Sequence, residues 1–103
     1  MEDVAVLVIE GEVDLFTVPA IRKELDSIAH TAGVVIDLCE TSFMDSSGLH
    51  LMLAATRELD GQVHIACVPH SAVRRLFDIV LGTPTGALKL FTSRDEALAA
   101  FST

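Results

Sequence analysis

An acid, two hydroxyls and a glycine stand side by side in the stretch "DSSG", residues 45–48, between two apolar runs. The run before it, "VVIDL", is typical of a buried strand, and the run after it, "LHLMLAATREL", is typical of a mostly buried helix. Asp and Ser are preferred helix N-caps, because their oxygens accept hydrogen bonds from backbone amides that the helix leaves unpaired. Capping by Asp45 or Ser46 is therefore a sufficient explanation of the stretch.

The stretch nevertheless holds more polar groups than one cap requires, and the surplus suggests a second use. A helix N-terminus favours anions through its free amides and its dipole, so a serine there can carry a phosphate without unfolding the helix. Phosphate would add about −1.5 to −2 charges beside Asp45 and near Glu40. The chain already has a net charge of −8, and the added charge would repel a partner at this surface. These residues therefore suit an on/off binding switch.

Catalytic and metal-binding patterns are weak by comparison. A nucleophile elbow needs a glycine two residues on either side of its serine, but Met44 takes the first of these positions around Ser46. The spacing of the four histidines is not that of metal ligands. They stand at His30, His50, His64 and His70. The two cysteines, Cys39 and Cys67, have no CxxC spacing and are predicted to be buried free thiols. The sequence has no nucleotide-binding glycine loop, and we expect no enzyme activity, metal or cofactor.

Length and composition are those of a small single-domain protein. The 103 residues are enough for one core, and half of them are hydrophobic. The acidic balance, 15 Asp and Glu against 7 Lys and Arg, disfavours direct binding to nucleic acid or anionic lipid. No apolar run approaches the roughly 18 residues of a membrane helix, and the N-terminus lacks the basic start of a secretory signal. We therefore expect a cytoplasmic protein without membrane insertion.

Strand-like and helix-like segments alternate along the chain. Strands are predicted at 4–9, 34–38, 62–68 and 86–91, a turn at 11–14, and helices at 18–29, 46–59, 71–82 and 93–101. This alternation predicts an α/β fold, a single domain over residues 1–103 with a small mixed, largely parallel sheet of about four strands alternating with four helices. Functional loops of such folds gather where strands end and helices begin, as at "DSSG".

Two local predictions accompany this scheme. Ser93 and Glu96 have the spacing of a capping box at the start of the last helix. Phe43 and Met44 are predicted to anchor the loop before Asp45 in the core; if exposed, they would be natural contact points for a partner.

The run "VVIDLCETSFMDSSGLHLMLAATREL" resembles the signature of the STAS domain, and more narrowly that of the bacterial anti-sigma factor antagonists. In that group an Asp-Leu pair at a strand end, here Asp37-Leu38, leads through a short loop to Asp-Ser-Ser-Gly-Leu at a helix start, here residues 45–49. "IEGEVD", residues 9–14, resembles the group's Gly-Glu-Leu-Asp turn, and "SAVRRLFDIVLG", residues 71–82, resembles its third helix. The resemblance covers almost the whole chain.

The resemblance implies a function in partner switching. Unphosphorylated members bind an anti-sigma factor, which is also a serine kinase of the ATPase fold, and this binding frees a sigma factor. The kinase phosphorylates the first serine of the motif, and a serine phosphatase restores it. By position, the phosphoacceptor is Ser46, and the partner-binding residues are Asp14, Asp45, Ser46, Ser47 and Gly48.

Two other functions remain open at this point. One is a non-phosphorylated STAS scaffold, a subunit of a stress-sensing or lipid-transport complex, which the apolar composition and a possible open sheet edge favour. The affinity of such a scaffold for its partner would not depend on the charge at Ser46. The other is an enzyme or small-molecule binder that uses the strand-end loops.

Overall fold

The computed structural model describes residues 3–80 and 88–102. Within them lie six strands and four α-helices, and a short 3-10 turn (Ala100–Ser102) follows the last helix. In chain order the elements are β1 (Val4–Val8), β2 (Gly11–Val13), α1 (Val18–Ile28), β3 (Gly33–Asp37), β4 (Thr41–Met44), α2 (Ser46–Glu58), β5 (Val63–Ala66), α3 (Ala72–Val80), β6 (Lys89–Phe91) and α4 (Arg94–Ala99).

The larger sheet has the strand order β1-β3-β5-β6, and its three pairings are parallel throughout the described residues. Every residue of β3 is buried, as expected for a central parallel strand whose two faces are both covered. The predicted α/β fold, with a largely parallel sheet of about four strands and four helices, is confirmed. The predicted end of the third helix and start of the fourth strand fall at residues 81–87, which lie outside the described residues.

The two faces of the sheet bury different clusters, because successive strand residues point to opposite sides. Val34 and Ile36 belong to the main core, which also takes in buried residues of α1, α2 and α3 such as Leu25, Met52 and Phe77. Val35, on the opposite face, packs in a smaller cluster with Ala66 of β5, Ala97 of α4 and the partly buried Phe101. Most of the apolar surface is therefore buried on the side of the first three helices.

A second, two-stranded sheet was not expected from the sequence. β2 pairs in parallel with β4, and Val13 lies opposite Met44. The predictions of a turn at residues 11–14 and of a loop before Asp45 were therefore wrong for residues 11–13 and 41–44. Strands of three and four residues are too short for their alternation to be recognised, and each is completed only by a partner about 30 residues away.

Two predictions, one for the side chains before α2 and one for the cap of α4, were each half right. Met44 is buried, but Phe43 is 48% exposed, so only the first anchors β4 in the core. At α4, the Ser93 hydroxyl accepts a hydrogen bond from the Glu96 amide at 3.1 Å, as a capping box requires. The Glu96 carboxylate, however, accepts from the Thr92 amide instead of the Ser93 amide.

An ion pair between the buried Asp37 and the half-exposed Arg94 joins the end of β3 to the start of α4. One Asp37 oxygen accepts from the Arg94 guanidinium at 2.8 Å, and the other accepts from the Cys39 amide at 2.9 Å. Burial by itself would raise the pKa of Asp37, but the hydrogen bonds from Cys39 and Arg94 outweigh it, and the net pKa lies below the usual value. The pair therefore ties α4 to the sheet most firmly when Asp37 is ionised.

Both cysteines are free, and Cys67 is fully buried as predicted. Cys39 is only half-buried, next to Asp37. Burial and the neighbouring Asp37 carboxylate raise the pKa of the Cys39 thiol to about 11. The thiol is therefore protonated at neutral pH, which makes it a poor nucleophile.

We expect Asp37→Asn to lower stability at neutral pH, by about 1–3 kcal/mol, because it weakens the hydrogen bonds that a buried, charged carboxylate accepts. A carboxyl whose pKa falls on folding stabilises the protein above its unfolded pKa of about 3.9, and this stabilisation is lost as the pH falls through the lower, folded pKa. Thermal unfolding between pH 2 and 7 should therefore show a smaller acid-induced loss of Tm in the variant. Arg94→Gln should also reduce that loss, and an unchanged pH profile in both variants would contradict the role of this pair.

Candidate functional site

The turns that lead into α1 and α2 lie next to each other, because β2 and β4 are parallel and end at the same edge. The Asp45 amide donates to the Val13 carbonyl at 3.1 Å, which extends the β2–β4 pairing by one bond. The backbone N–H of Leu15 faces the Asp45 carboxylate. We call residues 14–17 and 45–48 together the junction surface.

Asp45 is the N-cap of α2, as one of the two capping hypotheses predicted. Its Oδ1 atom accepts from the amides of Ser47 at 2.9 Å and Gly48 at 3.2 Å, and from the Ser47 hydroxyl at 2.5 Å. The Ser47 hydroxyl is the largest cause of a lowered pKa at Asp45, and the amides of Gly48, Ser47 and Leu15 lower the pKa further. Asp45 therefore carries its negative charge at neutral pH.

The two serines of the stretch have different surroundings. Ser47 is half-buried, and its hydroxyl is held by Asp45. Ser46 is the exposed first residue of α2, and its hydroxyl makes no hydrogen bond with any other described residue. Of the two hydroxyls, that of Ser46 is therefore the one that another molecule can reach without displacing an existing bond.

Gly48 is buried where α2 meets the β2–β4 pair. A Cβ atom built on it would lie 2.7 Å from a side-chain carbon of Met44 and 2.7 Å from one of Val13. Neither contact can be relieved cheaply, since both neighbours are buried core residues. The absence of a side chain at this position is what allows the first turn of α2 to rest directly on the two strands.

Asp14 organises the turn before α1. Its Oδ1 atom accepts from the amides of Phe16 and Thr17, both at 3.0 Å. In return, the Thr17 hydroxyl accepts from the Asp14 amide at 2.9 Å. This reciprocal arrangement has the logic of a capping box, and it places Asp14 at the junction surface beside Asp45. The predicted site residues Asp14, Asp45, Ser46, Ser47 and Gly48 thus lie together.

Three exposed apolar side chains outside the predicted site residues lie on the Asp14 turn and on β4. Phe16 is 89% exposed and Leu15 is 70% exposed, both on the Asp14 turn, and the exposed Phe43 follows on β4 opposite Glu12. The sequence carried a weak signal for the first two, since "LF" stands directly between a turn residue and the helix start. Their exposure could not be read from the sequence, because an apolar pair at that position is more often buried.

The remaining candidates for catalysis or metal binding do not come together. His64 lies under α4, where its ring bonds to the Ala97 carbonyl at 2.8 Å and stacks on Phe101 at 3.7 Å. In the described part of the chain, no three His, Cys, Asp or Glu residues are grouped so as to hold a metal ion. Among the same residues, no helix combines the length and the apolar character needed to cross a membrane.

Comparisons with known proteins agree with the observed fold. A family model described as the STAS domain matches residues 1–97. The chain is similar to the anti-sigma-F factor antagonist RsfB of Mycobacterium tuberculosis, with 30% identity over 97 residues, which cover 92% of this chain and 79% of RsfB. It is also similar to the crystal structure of an anti-sigma factor antagonist from Mycobacterium paratuberculosis, with a TM-score of 0.87 and 23% identity over 100% of this chain and 92% of that one.

A further solved structure shares the fold. It is the Bacillus cell fate determinant SpoIIAA in its phosphorylated form, with a TM-score of 0.65 and 27% identity over 93% of this chain and 88% of that one. The α/β architecture expected from the sequence is thus found in experimentally determined proteins of similar length.

We expect Gly48→Ala to destabilise the protein by about 1–3 kcal/mol, because the added methyl group overpacks the contact with Val13 and Met44. The sign of this stability change is informative, since an alanine inside a helix normally stabilises a protein by about 0.5–1 kcal/mol relative to glycine. Urea unfolding measures the change. Ser46→Ala, at the exposed neighbouring position, should stay within about 0.5 kcal/mol of wild type. A Gly48→Ala protein more stable than wild type would refute the close contact.

Proposed function

Because this chain belongs to the STAS domain family, we propose that it is an anti-sigma factor antagonist that works by partner switching at Ser46. Its unphosphorylated form binds an anti-sigma factor, a serine kinase of the ATPase fold, which then releases its sigma factor. Phosphorylation of Ser46 ends this binding, and a serine phosphatase restores it. The protein acts in the cytoplasm and by binding, and the chemistry is that of its kinase and phosphatase.

The observation that carries the proposal is the contrast between the two serine hydroxyls. Among the described residues the Ser46 hydroxyl is exposed and makes no hydrogen bond, whereas the Ser47 hydroxyl donates a hydrogen bond to the capping carboxylate of Asp45. A kinase can therefore reach the Ser46 hydroxyl without breaking a hydrogen bond of the protein. Phosphorylation of Ser47 would instead remove a hydrogen bond and place a phosphate against an ionised carboxylate.

The transfer itself requires the partner's nucleotide to approach Ser46 closely. The Ser46 oxygen takes the γ-phosphoryl group of ATP, the bond to the bridging oxygen breaks with ADP as the leaving group, and the hydroxyl proton passes to the kinase or to solvent. A phosphate left on Ser46 then faces the phosphates of ADP in the same complex. Like charges placed together across an interface cost several kcal/mol, so phosphorylation favours dissociation.

The fold of the phosphorylated form is expected to persist. Ser46 is the first residue of α2, where the helix dipole and free amides favour negative charge. The cap does not depend on Ser46, because Asp45 accepts its bonds from Ser47 and Gly48. The phosphate therefore changes the charge of the junction surface and leaves its framework in place.

The other residues of the site have supporting functions in this proposal. Asp45 and Ser47 hold the first turn of α2 through hydrogen bonds in which the Ser46 hydroxyl takes no part. Gly48 lets that turn rest on β2 and β4, and Asp14 shapes the neighbouring turn. Asp14, Asp45, Ser46 and Ser47 lie at one surface that a single partner covers, and the buried Gly48 supports this surface from beneath.

The relatives support the same function. RsfB is by name an antagonist of an anti-sigma-F factor, and it matches this chain over 92% of its length. The M. paratuberculosis structure is likewise that of an anti-sigma factor antagonist. The Bacillus SpoIIAA structure is of a phosphorylated form, which supports a switch based on phosphorylation.

One observation favours the alternative of a non-phosphorylated STAS scaffold in a stress-sensing or lipid-transport complex. Among the described residues β1 pairs only with β3, and its residues Val6 and Val8 are exposed. An unpaired edge strand can accept another chain. A complex formed there would be indifferent to the charge at Ser46, and this difference separates the two functions.

We expect a pull-down from lysate of the source cells to retain an ATPase-fold kinase on wild-type bait and on Ser46→Ala, and to lose it on Ser46→Asp. The aspartate mimics part of the phosphate charge, so affinity should fall by about tenfold or more, which corresponds to about 1.4 kcal/mol. Mass spectrometry identifies the retained proteins. Retention of the same non-kinase subunit on all three baits would contradict the switch and favour the scaffold.

The two serines also give a matched pair for the phosphorylation itself. The retained kinase, supplied with ATP, should phosphorylate wild type and Ser47→Ala but not Ser46→Ala, because only the Ser46 hydroxyl is exposed and unbonded. Intact-mass measurement with peptide mapping locates the phosphate. Modification of Ser47 in the Ser46→Ala protein would refute the assignment of the phosphoacceptor.

A further inference from the structure

The Asp14 turn exposes two large apolar side chains side by side. Phe16 is 89% exposed and Leu15 is 70% exposed, whereas the two residues that flank the pair, Asp14 and Thr17, are half-buried. Single exposed apolar side chains are common on protein surfaces. A consecutive aromatic and aliphatic pair at the junction surface is different, because it lies where the proposed function requires a partner.

Hydrogen bonds hold the backbone that carries these side chains in a fixed place. Asp14 Oδ1 accepts from the Phe16 and Thr17 amides, and the Thr17 hydroxyl bonds back to the Asp14 amide. The Asp14 carbonyl also accepts from the Val18 amide at 2.9 Å, which continues the turn into α1. A preorganised turn loses little backbone entropy when a partner binds, so less of the free energy gained by burying its apolar area is lost.

The pair is close to the phosphoacceptor. The Leu15 backbone N–H faces the carboxylate of Asp45, the residue directly before Ser46, and the Asp45 amide bonds to the Val13 carbonyl. Exposed Phe43 lies on the neighbouring strand, opposite Glu12. A partner surface that reaches Ser46 therefore lies next to the turn that carries Leu15 and Phe16.

The charges around the pair restrict the kind of surface that fits. Glu10 and Glu12 are exposed on the β2 side, and the chain as a whole has a net charge of −8. A complementary surface has an apolar pocket for the aromatic ring and basic side chains facing these glutamates. Aromatic side chains buried at the centre of such interfaces supply most of the binding energy.

We propose that Phe16, with Leu15 beside it, is the apolar anchor by which the ATPase-fold kinase binds this protein, in a pocket next to the kinase's nucleotide site. The inference rests on the proposed function and adds to it a contact outside the "DSSG" stretch. The anchor determines how long the complex lasts, and Ser46 determines whether it forms. Partner choice among related kinases then depends on the residues at positions 15 and 16.

The test is a kinetic binding measurement with the purified kinase retained in the pull-down, in the presence of ADP. Phe16→Ser should weaken binding by more than about tenfold, mainly through faster dissociation, and the salt dependence should stay that of wild type because no charge is removed. Phe16→Leu should restore part of the affinity. Ile79→Ser is the matched control, since Ile79 is 79% exposed on α3, and it should stay within about twofold of wild type.

The possible results separate this inference from the proposed function. If wild type binds the kinase and Phe16→Ser binds equally well, the anchor is wrong and the switch at Ser46 stands. If Ile79→Ser weakens binding as much as Phe16→Ser, the anchor is not local to the Asp14 turn and the inference also fails. If wild type does not bind any ATPase-fold kinase, the proposed function is wrong and the anchor with it. Equal Tm values for all variants ensure that binding, not folding, is compared.

A second readout uses the kinase reaction. An anchor that does not touch the transferred phosphoryl group should affect KM and leave kcat unchanged. Phe16→Ser should therefore raise the KM for phosphorylation of Ser46 at constant kcat. A fall in kcat at constant KM would show that Phe16 positions the hydroxyl, and would overturn its role as an anchor.

Discussion

The contact between Gly48 and the paired strands β2 and β4 is the constraint on which the rest of the site depends. A Cβ atom at this position would lie 2.7 Å from carbons of both Val13 and Met44. Because no such atom is present, the first turn of α2 rests on the strands, and the Asp45 amide reaches the Val13 carbonyl. The turn that follows β2 is thereby held beside the turn that follows β4, and the two together form the junction surface.

Asp14 and Asp45 have the same structural function at this surface, because each accepts hydrogen bonds from the backbone of its own turn. This function leaves the neighbouring side chains exposed. Asp45 accepts hydrogen bonds from the amides and the hydroxyl at the start of α2. Asp14 accepts hydrogen bonds from the amides of the turn before α1. Both carboxylates bond to nearby backbone amides, so the two turns do not depend on hydrogen bonds from the adjacent exposed side chains. Ser46 and Phe16 are consequently left available in a rigid frame, which is what a surface needs if a partner must both bind it and modify it.

The opposite face of the sheet is stabilised independently of the junction surface. There the Asp37–Arg94 ion pair and the stacking of His64 on Phe101 attach α4 and the 3-10 turn to β3 and β5. These contacts lie across the sheet from the main core that supports α2. This separation is consistent with a switch that changes binding without changing the fold.

The sequence by itself determined the fold class, the four helices, the central buried strand and the capping function of "DSSG", because each of these depends on local periodicity or on residues within one helical turn. It could not find β2 and β4, since two short strands are recognisable only when paired. Local patterns did not separate Ser46 from Ser47, which only the family resemblance distinguished, and they did not place Phe43 and Phe16 in solvent. Those properties depend on which side chains lie nearby in space, and contacts such as that of Thr41 with Ile9, 32 residues apart, are decided only when the whole chain is folded.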